Sequence, residues 1–115
     1  MSDDRLPTGL WVQAHLRLCD AANLPAYVLR KGEAHSGLVL LKVVIPFKGA
    51  HVYMQSRDLN GRMGWMPGLG GALVPESEAD AYITRATGRD PDLWAIEVES
   101  RDGSHPFEGP VITFS

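Results

Sequence analysis

Ser36-Gly-Leu-Val-Leu-Leu-Lys-Val-Val-Ile-Pro-Phe47 is the stretch on which the fold turns. Leu38 to Ile45 is apolar at seven of eight positions and rich in β-branched residues, and Gly37 and Pro46 bound it. That pattern reads as a buried strand rather than a helix. Lys48-Gly49 then offers a two-residue turn, with Gly49 free to take positive φ. On that turn, Phe47 pairs with Ala50, Ile45 with Val52, Val43 with Met54 and Leu41 with Ser56. Opposed side chains share a face. Val43, Ile45, Phe47, Val52 and Met54 then line one apolar side, and Lys42, Val44, His51, Tyr53 and Gln55 the other. One register sorts both strands, which supports the hairpin.

Ahead of the hairpin, residues 1–7 read as a loose polar arm. Thr8 is placed as a helix N-cap. Leu10, Trp11, Ala14, Leu18 and Ala21 follow helical spacing, with Val12, Leu16 and Cys19 widening the stripe and His15 on the wetter side. Asn23 and Pro25 end the helix at about residue 22. Ala26 to Leu29 is a short strand. Beyond the hairpin, residues 58–71 carry five glycines together with Met63, Trp65 and Met66. This reads as a loop that tucks in large side chains, with room for a strand at 62–66. Pro75, Glu76, Glu78 and Asp80 open a second helix. Its stripe is Ala79, Tyr82, Ile83 and Ala86, and Gly88 is its expected C-cap. Trp94, Ile96 and Val98 alternate with Ala95, Glu97 and Glu99, a half-buried strand with one wet face. Residues 100–115 form an irregular tail that closes in an edge strand at Val111 to Phe114.

The element order is α-β-β-β-α-β. Short connections favour antiparallel pairing. The expectation is therefore an α+β fold: a mostly antiparallel sheet of four to five strands, with both helices on one face. The 115 residues suit one domain, 1–115. Hydrophobic residues at 44% and charged residues at 22% are ordinary globular values. The net charge of −3 and the lack of a basic block argue against nucleic acid and anionic membranes as partners. The N-terminus is not built as a signal peptide, and no apolar run approaches the ~20 residues of a membrane span. Cys19 is the single cysteine, which leaves no pair for an intrachain disulfide. These features point to the cytoplasm.

Three motifs carry a resemblance. They are Leu10-Trp-Val-x-Ala14, Val28-Leu-Arg-Lys-Gly32 and, most specifically, Asp90-Pro-Asp-Leu-Trp-Ala-Ile-Glu-Val-Glu99. Across residues 10–99 the chain resembles a small bacterial family of unknown function whose members have about this length. The 61–71 and 100–115 stretches depart from that pattern. The resemblance implies no activity.

The chemistry-bearing residues favour structural roles. Gly68-Leu-Gly-Gly71 lacks the Lys-Ser/Thr of a phosphate loop, and Leu73 stands where a dinucleotide turn needs glycine. His15 and Cys19 are four apart on one helix, but Cys19 falls on the apolar stripe, so an inert thiol is expected. The four histidines lie in four segments without metal-ligand spacing. Glu97 and Glu99 read as a solvated face, and Asp90 as a turn residue. No catalytic, metal or cofactor residues are assigned.

His51, Tyr53, Arg57, Arg62 and Trp65 form an aromatic and cationic candidate binding surface. A non-enzymatic interaction or assembly module is the preferred reading. The alternative is a small enzyme or ligand-binding protein with its site beneath the 58–71 loop. Apolar residues on both faces of the central strand also predict a homodimer through Leu38, Leu40, Val44 and Tyr53, with Val111 to Phe114 as the other possible interface.

Overall fold

The computed structural model describes residues 6–112. Helix α1 (Thr8–Ala21) leads into strands β1 (Ala26–Arg30), β2 (Val39–Ile45), β3 (Gly49–Arg57) and β4 (Met63–Pro67). A short 3₁₀ turn at Leu69–Gly71, helix α2 (Glu76–Arg89) and strand β5 (Trp94–Glu99) complete the order. The strands lie side by side as β1-β5-β2-β3-β4. The fold is α+β, as expected. The sheet is mixed, because β5 runs parallel to β2 while the other neighbours are antiparallel.

The hairpin of β2 and β3 exists, but its register differs from the expected one. Val43 sits opposite His51 rather than Met54, and Lys42 opposite Val52. The cause is the turn. Proline has no N–H to extend the ladder and a fixed φ suited to the second position of a turn. Pro46, Phe47 and Lys48 therefore form a three-residue loop that ends in the pair Ile45–Gly49. Lys48 N–H donates to Ile45 C=O at 3.0 Å, and Phe47 takes φ +67° with its ring fully exposed. A shift by an odd number of residues exchanges faces. Val43 and Val52 thus lie on opposite sides of the sheet.

The helices also lie on opposite sides, not on one. Val39, Leu41, Val43, Trp94, Ile96 and Val98 pack against Val12 and Cys19 of α1. Leu40, Val44, Ala50, Val52 and Ala95 pack beneath Ala79, Ile83 and Ala86 of α2. Strand β5 is central and covered on both faces, so Ala95 is buried rather than wet. Trp94 is covered by α1, not by α2. The face that carries Leu40 and Val44 is filled from within the chain by α2.

Helix α1 buries Thr8, Val12, His15 and Cys19 and leaves Leu10 and Leu18 half exposed. Its buried face is rotated from the expected stripe, with His15 inside. Thr8 is the first helical residue rather than the cap. Its hydroxyl donates to Gly37 C=O at 2.8 Å, while the amides of Thr8 and Gly9 reach the carbonyls of His35 and Ala34. Backbone carbonyls of the 34–37 turn thus satisfy amides that a helix leaves unpaired. Helix α2 buries Ala79, Ile83, Ala86 and Thr87, close to expectation, but runs through Gly88 to Arg89. Asn23 takes φ +59°, the left-handed turn expected there. Among the tail residues, Val111 bridges Trp65 of β4. The rest of the expected edge strand, and residues 1–5 of the expected arm, lie outside the described residues.

Candidate interaction surface

His51, Tyr53 and Trp65 are neighbours on the α1 side of the sheet, because β3 alternates and Gln55 pairs with Trp65. They do not form an open surface. Residues 105–108 lie over them. Trp65 is 1% exposed, and its indole N–H donates to Phe107 C=O at 3.4 Å. The His105 ring stands 6.3 Å from both Tyr53 and Trp65. Phe107 is buried between that group and α1, 5.8 Å from His15 and 6.1 Å from Trp11. Burial pushes the His105 pKa below its ordinary value. His51 Nδ1 is buried and has no hydrogen-bond partner among the described residues. His15 Nδ1–H donates to Trp11 C=O at 2.7 Å; the carbonyl can only accept, which sets the tautomer.

Arg57 and Arg62 are exposed at the β3–β4 turn, where Arg57 donates to Gly61 C=O at 2.7 Å. The 58–71 stretch is largely that turn followed by strand β4 and the short 3₁₀ turn. The sequence puts His15 on the wetter side of α1 and gives no sign that His105 and Phe107 would join it in this cluster. A segment without periodicity gave no signal that it would cover the sheet. Among the described residues no group of three or more His, Cys, Asp or Glu is placed to hold a metal ion.

On the α2 side, Lys42 is buried at 3% side-chain exposure and bonded to three carboxylates: Asp80 at 2.7 Å, Glu76 at 2.9 Å and Glu97 at 3.0 Å. Burial alone pushes the ammonium toward neutrality. The bonds to Asp80, Glu76 and Glu97 outweigh it and hold the pKa above the ordinary lysine value. Glu97 is therefore an internal ion-pair partner, not part of a solvated face.

An exposed apolar run lies elsewhere, at β1. This strand is one end of the sheet. Tyr27, Val28 and Leu29 are 53%, 41% and 47% exposed. Glu99 N–H donates to Pro25 C=O at 2.9 Å, which by antiparallel alternation turns the amides of Ala26 and Val28 away from β5. Beside the strand runs a groove of about 560 Å³, with Leu10, Leu16, Val28 and Trp94 in its lining and Lys31 and His35 at its rim. The opposite sheet edge differs. There Pro110 accepts from Trp65 N–H at 2.8 Å and Ile112 donates to Trp65 C=O at 2.9 Å, so the tail covers β4.

The family model described as "Protein of unknown function (DUF1491)" matches residues 6–108. A crystal structure of a DUF1491 family protein from Caulobacter crescentus CB15 is 37% identical to the chain, with a TM-score of 0.85. That likeness covers 94% of this chain and 100% of the other. An NMR structure of a DUF1491 family protein from the same organism is also 37% identical, with a TM-score of 0.81, covering 94% and 97% of the two chains. A solution structure of a protein from A. tumefaciens shares the fold at 24% identity and a TM-score of 0.71, covering 84% and 86%. No curated protein matches the chain.

Proposed function

The chain belongs to the DUF1491 family of proteins of unknown function, and from there we propose that it is a non-enzymatic interaction module that adds an extended partner segment to the free edge of β1. The carrying observation is the run Tyr27-Val28-Leu29, exposed on a sheet edge. Edge strands are usually blunted by charge, by covering segments or by bulges. Here the bulge falls only after Val28. Unpaired amides give such an edge its affinity, and adjoining pockets give it selectivity. The α1–β1 groove would take alternate apolar side chains of the partner. Arg30 and Lys31, both exposed, favour acidic residues in it. The lone buried thiol of Cys19 suits a reducing compartment, and we place the protein in the cytoplasm on that ground.

Titration with a short synthetic peptide that alternates valine and aspartate tests the reading. Saturable NMR shifts confined to β1 and the groove are expected, with binding lost in Val28→Lys and weakened in Lys31→Glu. Shifts spread over other elements, or binding indifferent to Val28→Lys, would overturn it. Light scattering identifies the remaining occupant: a dimer dissolved by Val28→Lys would place a second copy on β1 instead of a foreign segment.

A further inference from the structure

A second cleft, separate from the β1 groove, lies between the N-terminal turn of α1, strands β3 and β4, and residues 108–109. It encloses about 200 Å³ and is lined by Leu6, Thr8, Trp11, Gln55, Met63 and Glu108. Sites for drug-sized ligands run to roughly 300–1,000 Å³, so this one fits a single small ring.

Its chemistry is specific. Gln55 is 7% exposed, and its Oε1 accepts from Val39 N–H at 3.0 Å. That bond fixes which end of the amide is oxygen. The Nε2 group makes no hydrogen bond among the described residues and is open to the solvent in the cleft, so a donor is left for whatever enters. Burying such a donor unpaired is unfavourable, which makes an acceptor on the ligand valuable. Glu108, 83% exposed on its side chain, stands at the mouth with Oε1 3.9 Å from His15 Nε2. It offers a charged acceptor. Trp11 supplies a flat wall, one side of it stacked on His15 with ring centroids 3.9 Å apart. Met63 and Leu6 supply apolar surface. Among the described residues no lysine or arginine lines the cleft, so there an anion meets the Glu108 carboxylate without a counter-charge.

We propose that this cleft binds a small neutral heterocycle carrying adjacent carbonyl and N–H groups, of the kind found in a pyrimidine base. The carbonyl accepts from Gln55 Nε2, the ring N–H donates to Glu108, and the ring lies against Trp11. The site needs nothing from β1, so it stands or falls apart from the interaction reading.

The experiment is NMR titration of the full chain with uracil, with toluene and inorganic phosphate as controls. Saturable shifts of the Gln55 side-chain amide and the Trp11 indole are expected with uracil alone. Glu108→Gln, at an exposed position that leaves folding intact, should weaken binding about tenfold, the scale of losing one charge-assisted hydrogen bond. Gln55→Glu keeps the acceptor for Val39 and removes the donor, and should abolish binding in a chain whose remaining spectrum is native. The proposal is overturned by any of three results: no saturable shift up to about 10 mM uracil, equal shifts with toluene, or unchanged affinity in Glu108→Gln.

Discussion

The indole N–H of Trp94 donates to the backbone carbonyl of Glu33 at 2.8 Å. The bond ties the 32–37 turn to the start of β5. Next to it, Glu33 N–H donates to Asp92 C=O at 3.0 Å. Gly32 packs so closely that a Cβ there would stand 2.6 Å from the Leu93 carbonyl carbon. Val28–Gly32 and Asp90–Glu99 therefore meet as one joint.

Trp94→Ala should lower stability by about 3–5 kcal/mol, the usual range for truncating a large core side chain. Trp94→Phe, which keeps most of the burial and loses the bond to Glu33, should cost about 1 kcal/mol plus a small packing loss. Urea unfolding measures both. A loss below ~1 kcal/mol for the alanine variant would contradict the burial of the ring.

Lys42→Met should destabilise by roughly 3 kcal/mol, because it leaves the half-buried Glu97 carboxylate without its partner. Lys42→Met combined with Glu97→Leu should recover most of that loss, since replacing a buried pair with apolar side chains is often neutral. The folded-state pKa of Lys42 is raised, so its contribution is complete below the unfolded lysine value of about 10.4. It fades only as pH climbs through the higher folded value. Unfolding curves in strong alkali, wild type against the double variant, report that difference.

Glu33 contributes on the acid side. Backbone amides of Ser36 and His35 donate to its carboxylate at 2.7 and 3.0 Å and pull its pKa down to about 2. A depressed carboxylate stabilises the fold above its unfolded pKa, and that stability is lost as pH falls through the folded value. Stability should therefore decline from pH ~4.3 toward pH ~2, with a shallower decline in Glu33→Gln. Identical pH profiles for the two chains would show that the turn does not depend on the charge.

Cys19 should resist alkylation in the native state. It is fully buried, and burial pushes its thiol pKa up. The thiolate is the reactive form. Iodoacetamide should label it only at the rate of unfolding, so that mild denaturant speeds labelling sharply. Rapid native labelling at neutral pH would revive a His15–Cys19 pair.

Local features of this fold are legible in the sequence. Ala79, Ile83 and Ala86 give the buried face of α2, and the β2–β3 pairing follows from composition and the turn. The register is not legible, because both faces of β2 are covered. Val39, Leu41 and Val43 look the same as Leu40 and Val44, so alternation cannot choose between frames that differ by an odd step. The turn chemistry of Pro46 and Phe47 decides instead. Helix α1 misleads for a related reason: apolar Leu10 and Leu18 lie outside its buried face, where they border solvent. The candidate site divides the same way. His51, Tyr53 and Trp65 are recognisable as neighbours, but their cover by His105 and Phe107 depends on a tail with no periodic signal. The exposed β1 edge follows only from a non-local fact, the insertion of β5 between β1 and β2.

That insertion has a consequence for how the chain acquires its structure. Strands β1 and β2 never touch as neighbours, since their shared partner is made last. During synthesis the hairpin of β2 and β3, β4 and then α2 can assemble in sequence, but β1 has no strand to pair with until residues 94–99 arrive. Until then the β2 edge is open. Such long-range parallel closure is slow compared with hairpin formation. The interval in which the nascent chain is open to wrong pairings, and to chaperones that hold apolar edges, is thus set by the emergence of a single six-residue strand.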